Sequence, residues 1–258
     1  MNEKLTRLWA SKTKDDEWWS SFVVSPMAIA VNYFLIDIKW ITPNRVTLIS
    51  FVSAIAAALF IIVGGTENFI IAAVLIHLSH VFDCMDGQIA RYRRATSLAG
   101  GFYDKFTDQI QVALWFGATG YAAYSQSGNV LPVFLAFTGV VFYALRGYVK
   151  YVTIYTEMSR DSRFLEKLSR QEAESRKEEN AGPGFGFWAN LQWFVSEQRK
   201  IILFNEGVFI FMLSLSLVLD ALTPMLWVFA ISQLFYGLAR GLQRGFQIER
   251  NQVVNIQK

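Results

Sequence analysis

The chain has 258 residues, 53% hydrophobic and 16% aromatic, yet it carries 24 Lys and Arg beside 21 Asp and Glu. A mean hydropathy of +0.29 is too high for an ordinary soluble domain, so the charge must be segregated from the apolar mass. That excludes a disordered chain. The lone Cys84 excludes a disulfide framework, a formal net charge of +3 argues against a nucleic-acid binder, and an integral membrane protein remains.

Residues 1–20 hold Asp15, Asp16 and Glu17 and lack an apolar core, so they do not read as a cleavable signal peptide. Ser25-Pro26 reads as a cap and first helical residue. Met27–Ile36 is apolar but too short to span, and Trp18, Trp19 and Trp40 lie nearby; this predicts an amphipathic helix lying in the membrane interface. A full span needs roughly 20 apolar residues. Val46–Thr66 is the first, opened by Thr42-Pro43 and closed by Gly64-Gly65. The second starts at Asn68 and must run past Asp83 towards Arg91. Gln109–Leu145 is uncharged and too long for one helix, so the break at Tyr124–Asn129 gives spans three and four. Ile201–Leu219 and Ala221–Ala239 give five and six, joined by a turn at Asp220–Pro224. Between spans four and five, Glu157–Glu179 holds 13 charged residues out of 23. Glu166/Arg170 and Glu172/Arg176 are spaced i,i+4, as on a solvated helix. Ala181-Gly182-Pro183-Gly184 ends that stretch, and Phe185–Val195 leads back to the interface.

The expected architecture is therefore all-α and polytopic. Residues 1–42 form the N-terminal segment with its interfacial helix. Residues 43–245 form a six-helix transmembrane domain with a charged loop at about 156–200, and 246–258 form a tail. Of the 24 Lys and Arg, six precede span one, four lie between spans two and three, ten between four and five, and four follow span six. The other connections hold none, which places both termini and the loop after Asp83 in the cytoplasm.

The chemistry concentrates in Asp83–Arg91 and Gly100–Asp108. Asp83 and Asp86 are three apart, and Asp104 and Asp108 are four apart, so each pair shares a helix face. The intervening loop folds the two helices back on one another, which can gather all four carboxylates. Such a cluster at the edge of an apolar bundle is expensive unless cations neutralise it. An all-oxygen set suits Mg²⁺, Mn²⁺ or Ca²⁺ rather than zinc, and hard cations on carboxylates are the usual equipment of phosphoryl transfer. Gly87, Ala90 and Gly100 leave room for a ligand beside the acids, and the fork of Arg91 suits a phosphate. Cys84 is expected to point away from the Asp83/Asp86 face.

The segment resembles the CDP-alcohol phosphotransferase signature, D-x2-D-G-x2-A-R-x8-G-x3-D-x3-D, at every fixed position. Chance agreement at eight positions is on the order of 10⁻¹⁰ per start point. The resemblance implies an enzyme that transfers a substituted phosphate from a CDP-linked donor, such as CDP-diacylglycerol, to an alcohol and releases CMP. It implies two divalent cations, Mg²⁺ or Mn²⁺, held by Asp83, Asp86 and Asp104, with Asp108 as the general base and a further metal contact. Gly87, Ala90, Arg91 and Gly100 would line the CDP site. It also implies a homodimer in the membrane whose site opens to the cytoplasm.

Weaker signals surround this motif. Arg146 and Lys150 on span four, and Arg240 and Arg244 on span six, read as snorkelling anchors or as a pocket for a phosphate on the acceptor. His77 and His80 sit above Asp83 as bundle hydrogen-bonders or as supports for a ligand carboxylate. Asn44 and Arg45 start span one near the expected nucleotide site, and Glu206 in span five stays open between a cation partner and the interface. The competing functions are a cation transporter using the same acids, transfer of a CDP-linked head group to a lipid alcohol, and a non-catalytic scaffold.

Overall fold

The computed structural model describes residues 3–12, 17–175 and 204–250, with 188, 191, 192 and 195 between them; for 171–175 and 206 only the backbone is described. Every regular element among these residues is helical. A short helix, α1 (Glu3–Ala10), has no counterpart in the sequence-based expectation. A π-helical turn, Ser20–Val24, runs straight into α2 (Ser25–Leu35). Then come α3 (Pro43–Val63), α4 (Thr66–Tyr92), α5 (Leu98–Ser127), α6 (Leu131–Arg160), α7 (Phe164–Ser175), α8 (Glu206–Val218) and α9 (Leu222–Glu249).

Four of these, α3, α4, α6 and α9, are long and apolar enough to cross a membrane. The expected spans three and five are helices of a different kind. α5 is 30 residues long, but its first turns carry the acids and glycines of the motif. α8 is described over only 13 residues, and the first residues of the expected fifth span, 201–203, lie outside the described set. So do Arg176, the 181–184 breaker, most of 185–195 and the tail beyond 250.

The helix ends follow local chemistry. α3, α5 and α8 are turned back into α4, α6 and α9 by connections at 64–65, 128–130 and 219–221. Gly64, Gly65 and Gly128 stand at φ of +77°, +87° and +67°, which side chains with a Cβ rarely adopt. Thr42 sits at the cap position of α3, with Pro43 as the first helical residue, but its side chain makes no cap hydrogen bond. Ser25 does not cap α2, because the preceding turn is already helical. The three turn-back connections share one end of the bundle, so the Asp83–Asp108 region belongs to the other.

Packing differs between the ends. Towards the turn end, Ala54, Ala57, Ile61, Phe69, Ile76 and Trp115 are buried together with residues of α6, α8 and α9. Alanines let α3 and α4 approach closely, as small residues do in membrane bundles. Phe116 and Phe229 stack with centroids 3.6 Å apart, and Gly139 leaves the space that the Phe229 ring fills. Nearer the motif, buried polar groups tie the helices. Ser50 Oγ donates to the Ser79 carbonyl at 2.8 Å, and Ser79 Oγ approaches Gln111 Oε1 at 3.2 Å, linking α3, α4 and α5. A second cluster seats α1 and α2 on the motif end of α4 through Leu8, Ala28, Ile29, Met85 and Ile89. In it the buried Asn32 donates to Gln88 Oε1 at 2.9 Å. Arg93 holds the α2–α3 link by donating to the carbonyls of Ile36, Ile38 and Ile41. Beyond α6, Arg170 pairs with Glu166 at 2.6 Å with both side chains exposed, as a solvated helix requires.

Candidate functional site

Asp83 and Asp86 lie on the last turns of α4, and Asp104 and Asp108 on the first turns of α5. α5 begins here because Ser97 caps it, its Oγ accepting from Gly100 N–H at 3.0 Å. One oxygen from each of Asp83, Asp104 and Asp108 falls within 4.8 Å of the others. Asp108 Oδ1 is buried with no hydrogen-bond partner among the described residues. Three converging carboxylates with an orphaned buried oxygen fit a hard divalent cation. Asp86 is outside this set of three. It is buried, and its Oδ2 accepts from Thr47 Oγ1 on α3, which holds that carboxylate towards α3.

The cluster stands between two cavities. A smaller one of about 340 Å³ is lined by Asp83, Asp86 and Asp104 together with Gly87, Ala90, Arg91 and Gly100. A larger one of about 1570 Å³ is lined by Asp108 and by Arg146, Lys150, Arg240 and Arg244. Arg146, Lys150, Arg240 and Arg244 therefore converge on one space instead of scattering as separate anchors. Arg146 Nη1 donates to Gln233 Oε1 at 2.7 Å, and Arg244, 4% exposed, donates to Gln247 Oε1 at 2.8 Å. Phe102, Phe106, Tyr148, Tyr151 and Phe235 give the rest of the wall its aromatic character.

Several expectations change in detail. Gly87 does make room, but the room is taken by Arg91: a Cβ at Gly87 would meet Arg91 Nη1 at 3.0 Å. Arg91 is held in turn by its Nε donating to the Ser11 carbonyl at 2.6 Å, so α1 and its following turn brace the guanidinium. At Gly100 an added Cβ would crowd the cap hydroxyl of Ser97 at 3.1 Å. Cys84 Sγ lies 4.0 Å from Ser25 Oγ, on the side of α4 that packs against α2. It lines the smaller cavity, because that cavity wraps around more of α4 than the Asp83/Asp86 face. Asn44 lines it too, whereas Arg45 lies over the Trp40 ring at 5.0 Å and donates to the Trp40 carbonyl at 2.7 Å. His77 Nδ1 lies 3.0 Å from the Ala73 carbonyl and 3.1 Å from Ser214 Oγ, a link from α4 to α8. His80 Nε2 lies 2.7 Å from Ser20 Oγ.

Sequence reasoning missed Glu17, Ser20, Thr47 and Ser97 at this site. Thr47 and Ser97 carry no spacing signal, and Glu17 sits in an acidic run that reads as solvated. Glu17 lines both cavities. Its Oε1 accepts from Ser20 Oγ at 2.7 Å and from the backbone N–H of Gly207 in the first turn of α8.

Residues 40–169, half of the chain, match the family described as CDP-alcohol phosphatidyltransferase. The chain is 33% identical over 129 residues to a phosphatidylinositol phosphate synthase of Corynebacterium glutamicum, covering 50% of this chain and 56% of that protein. It is 29% identical over 104 residues to a bifunctional IPC transferase and DIPP synthase of Thermococcus kodakarensis, covering 40% of this chain and 23% of that protein. The matched part is thus about half or less of each relative's length. The chain belongs to the CDP-alcohol phosphatidyltransferase family, membrane-embedded transferases of substituted phosphate groups with members in phospholipid synthesis.

Proposed function

We propose that this protein transfers a substituted phosphate from a CDP-linked lipid, CDP-diacylglycerol or a close relative, to a polar alcohol that itself bears a phosphate, and releases CMP. The observation that carries the reading is the carboxylate cluster standing between two cavities of different chemistry. A two-substrate transfer needs that arrangement, with the reacting phosphorus where the donor and acceptor spaces meet.

In this reading the smaller cavity holds the CDP end of the donor. Arg91, braced by Ser11, and the capped N-terminus of α5 face its diphosphate, since free N–H groups and a guanidinium both favour an anion. Asp83, Asp104 and Asp108 hold divalent cations, Mg²⁺ or Mn²⁺, with Asp86 contributing from the Thr47 side. A bound cation neutralises charge on the phosphate oxygens. Asp108 faces the larger cavity and takes the proton of the acceptor hydroxyl. The hydroxyl oxygen forms a bond to the phosphorus distal to cytidine, the anhydride bond to the CMP phosphate breaks, and CMP carries away the electron pair. Arg146, Lys150, Arg240 and Arg244 hold the phosphate of the acceptor. The name of the Corynebacterium relative, a phosphatidylinositol phosphate synthase, supports an inositol-containing acceptor.

The wider reading has six membrane-crossing helices, with α5 and the α8 region added to the four long apolar ones. Both termini and the site face the cytoplasm, and the protein works as a homodimer. The turns at one end of the bundle hold no Lys or Arg, which supports that orientation.

A cation transporter remains the alternative for the acidic cluster. The test is purified protein with CDP-diacylglycerol, Mg²⁺ or Mn²⁺, and an acceptor panel of inositol 1-phosphate, glycerol 3-phosphate and serine. CMP should appear only with metal and with a phosphorylated acceptor, and mass spectrometry should show the matching phospholipid. Metal binding with no CMP release from any donor and acceptor pair would refute the enzyme reading.

A further inference from the structure

Glu17 lies outside the motif, yet among the described residues it and Gly101 are the two that line both cavities. Gly101 has no side chain, and a Cβ placed there would meet nothing within 4 Å. The two cavities thus adjoin at Gly101 on α5, and a carboxylate of the N-terminal segment borders both. That carboxylate is fixed rather than loose. Both of its hydrogen bonds, from Ser20 Oγ and from Gly207 N–H, fall on Oε1. Ser20 also meets His80 Nε2 at 2.7 Å, one turn before Asp83 on α4. With the serine proton given to Glu17, the imidazole donates from Nε2. Glycine at 207 lets this clasp close, since a Cβ there would crowd Glu17 Oε1 and Ser20 Oγ. The π-helical turn that starts at Ser20 is a further sign of a segment shaped by a local demand. Oε2 takes neither of the two bonds.

The larger cavity is electrically polarised. Four cations line it from α6 and α9, while its two carboxylates, Asp108 and Glu17, line it from α5 and the N-terminal segment, with Lys105 of α5 as the one cation on that side. A phosphate-bearing polyol in this space is best placed with its phosphate on the cations and its hydroxyls on the carboxylates. Building on the acceptor reading above, we propose that Glu17 recognises the acceptor: its Oε2 accepts a hydrogen bond from one hydroxyl of a polyhydroxylated, phosphate-bearing alcohol and thereby presents a neighbouring hydroxyl to Asp108. Its charge also repels the reversed pose, in which the phosphate would face the carboxylates. Glu17 exchanges no proton in this role.

The test compares Glu17→Gln with Ser20→Ala in the full chain, using CDP-diacylglycerol and inositol 1-phosphate or glycerol 3-phosphate. The amide of Glu17→Gln still offers an oxygen to Gly207 N–H and Ser20, so the clasp is retained, while the charge is lost and an NH2 donor replaces the accepting Oε2. Ser20→Ala loosens the clasp and keeps the charge. Glu17→Gln should raise the acceptor KM about 10- to 100-fold, the loss expected for one hydrogen bond to a charged group. It should leave the donor KM within about twofold and narrow the preference between the two acceptors. Ser20→Ala should move the acceptor KM by less than about threefold. An unchanged acceptor KM in Glu17→Gln overturns the role of Glu17 alone. Equal shifts of both KM values and kcat in the two variants, with a lower melting temperature, also overturn it, because Glu17 would then be only a clasp. A wild-type protein that releases CMP solely with unphosphorylated acceptors overturns both this role and the acceptor reading beneath it.

Discussion

The two cavities meet at one carboxylate cluster, and they are built by different means. The smaller, about 340 Å³, is enclosed by α3, α4 and α5, which buried serine and glutamine hydrogen bonds hold together just behind it. Its charged residues come mostly from the single stretch Asp83–Asp108. The larger, about 1570 Å³, is lined by α6 and α9 together with the first turns of α5. α6 and α9 touch at Gly139 against Phe229, at Gly237 against Phe142 and again at Gly241 beside Val149, and four of their long basic side chains line the cavity. A tight, sequence-contiguous pocket suits a ligand of fixed shape such as a nucleotide diphosphate. A wide pocket whose selectivity rests on long side chains can change its ligand by changing a few of them. The comparison teaches that donor and acceptor recognition reside in separate parts of the bundle and should be separable by mutation.

The sharpest break falls at the residue between them. Asp108→Asn removes the base and keeps the size of the side chain. It should lower kcat by about 10²- to 10⁴-fold, while CDP binding measured by calorimetry in the presence of Mg²⁺ stays within a few-fold of wild type. If turnover survives, the proton goes elsewhere and the assignment of Asp108 as the base is wrong. If CDP binding collapses together with turnover, the two cavities are not separable at this point.

Arg146→Ala comes next in size and tests the larger cavity. It should raise the acceptor KM about tenfold or more, as expected for losing a hydrogen bond to a charged group, with the donor KM nearly unchanged. Arg146→Lys, which keeps the charge and loses the fork, should fall between. Equal effects on both substrates would return Arg146 to the status of an anchor that packs on Tyr143 and Gln233.

The same contrast explains what the sequence could and could not disclose. Asp83, Asp86, Asp104 and Asp108 were legible because helical spacing alone puts each pair on one face, and the loop between them is short. The helix-ending role of Gly64-Gly65 and Gly128 was legible because left-handed backbone selects glycine. The drawing of Asp86 towards Thr47 was not legible, because a threonine 39 residues away gives no periodic signal. Nor could spacing tell that Arg146, Lys150, Arg240 and Arg244 share one cavity. Each is separately explained by the preference of Lys and Arg for helix ends near a membrane surface. Glu17 was hidden more deeply, since acids beside Lys12 and Lys14 read as a solvated run until α8 is seen to bring Gly207 against it.

The smallest expected effect belongs to the smaller cavity and tests why its glycine is there. A Cβ on Gly87 would meet Arg91 Nη1 at 3.0 Å and Nη2 at 3.2 Å, which are the far end of a flexible side chain and not backbone. The guanidinium can therefore yield by a few tenths of an ångström, and alanine is the better helix former by about 1 kcal/mol. Gly87→Ala should consequently fold at least as well as wild type. Its cost should appear where Arg91 has moved: a donor KM raised about threefold to tenfold, with the acceptor KM and the Asp108-dependent step untouched. An activity loss as deep as that of Asp108→Asn would mean that the ligand packs directly on the Gly87 backbone, so that the motif glycine serves the substrate and not the arginine. A rise in acceptor KM would instead join the two cavities functionally and undo the separation that their construction implies.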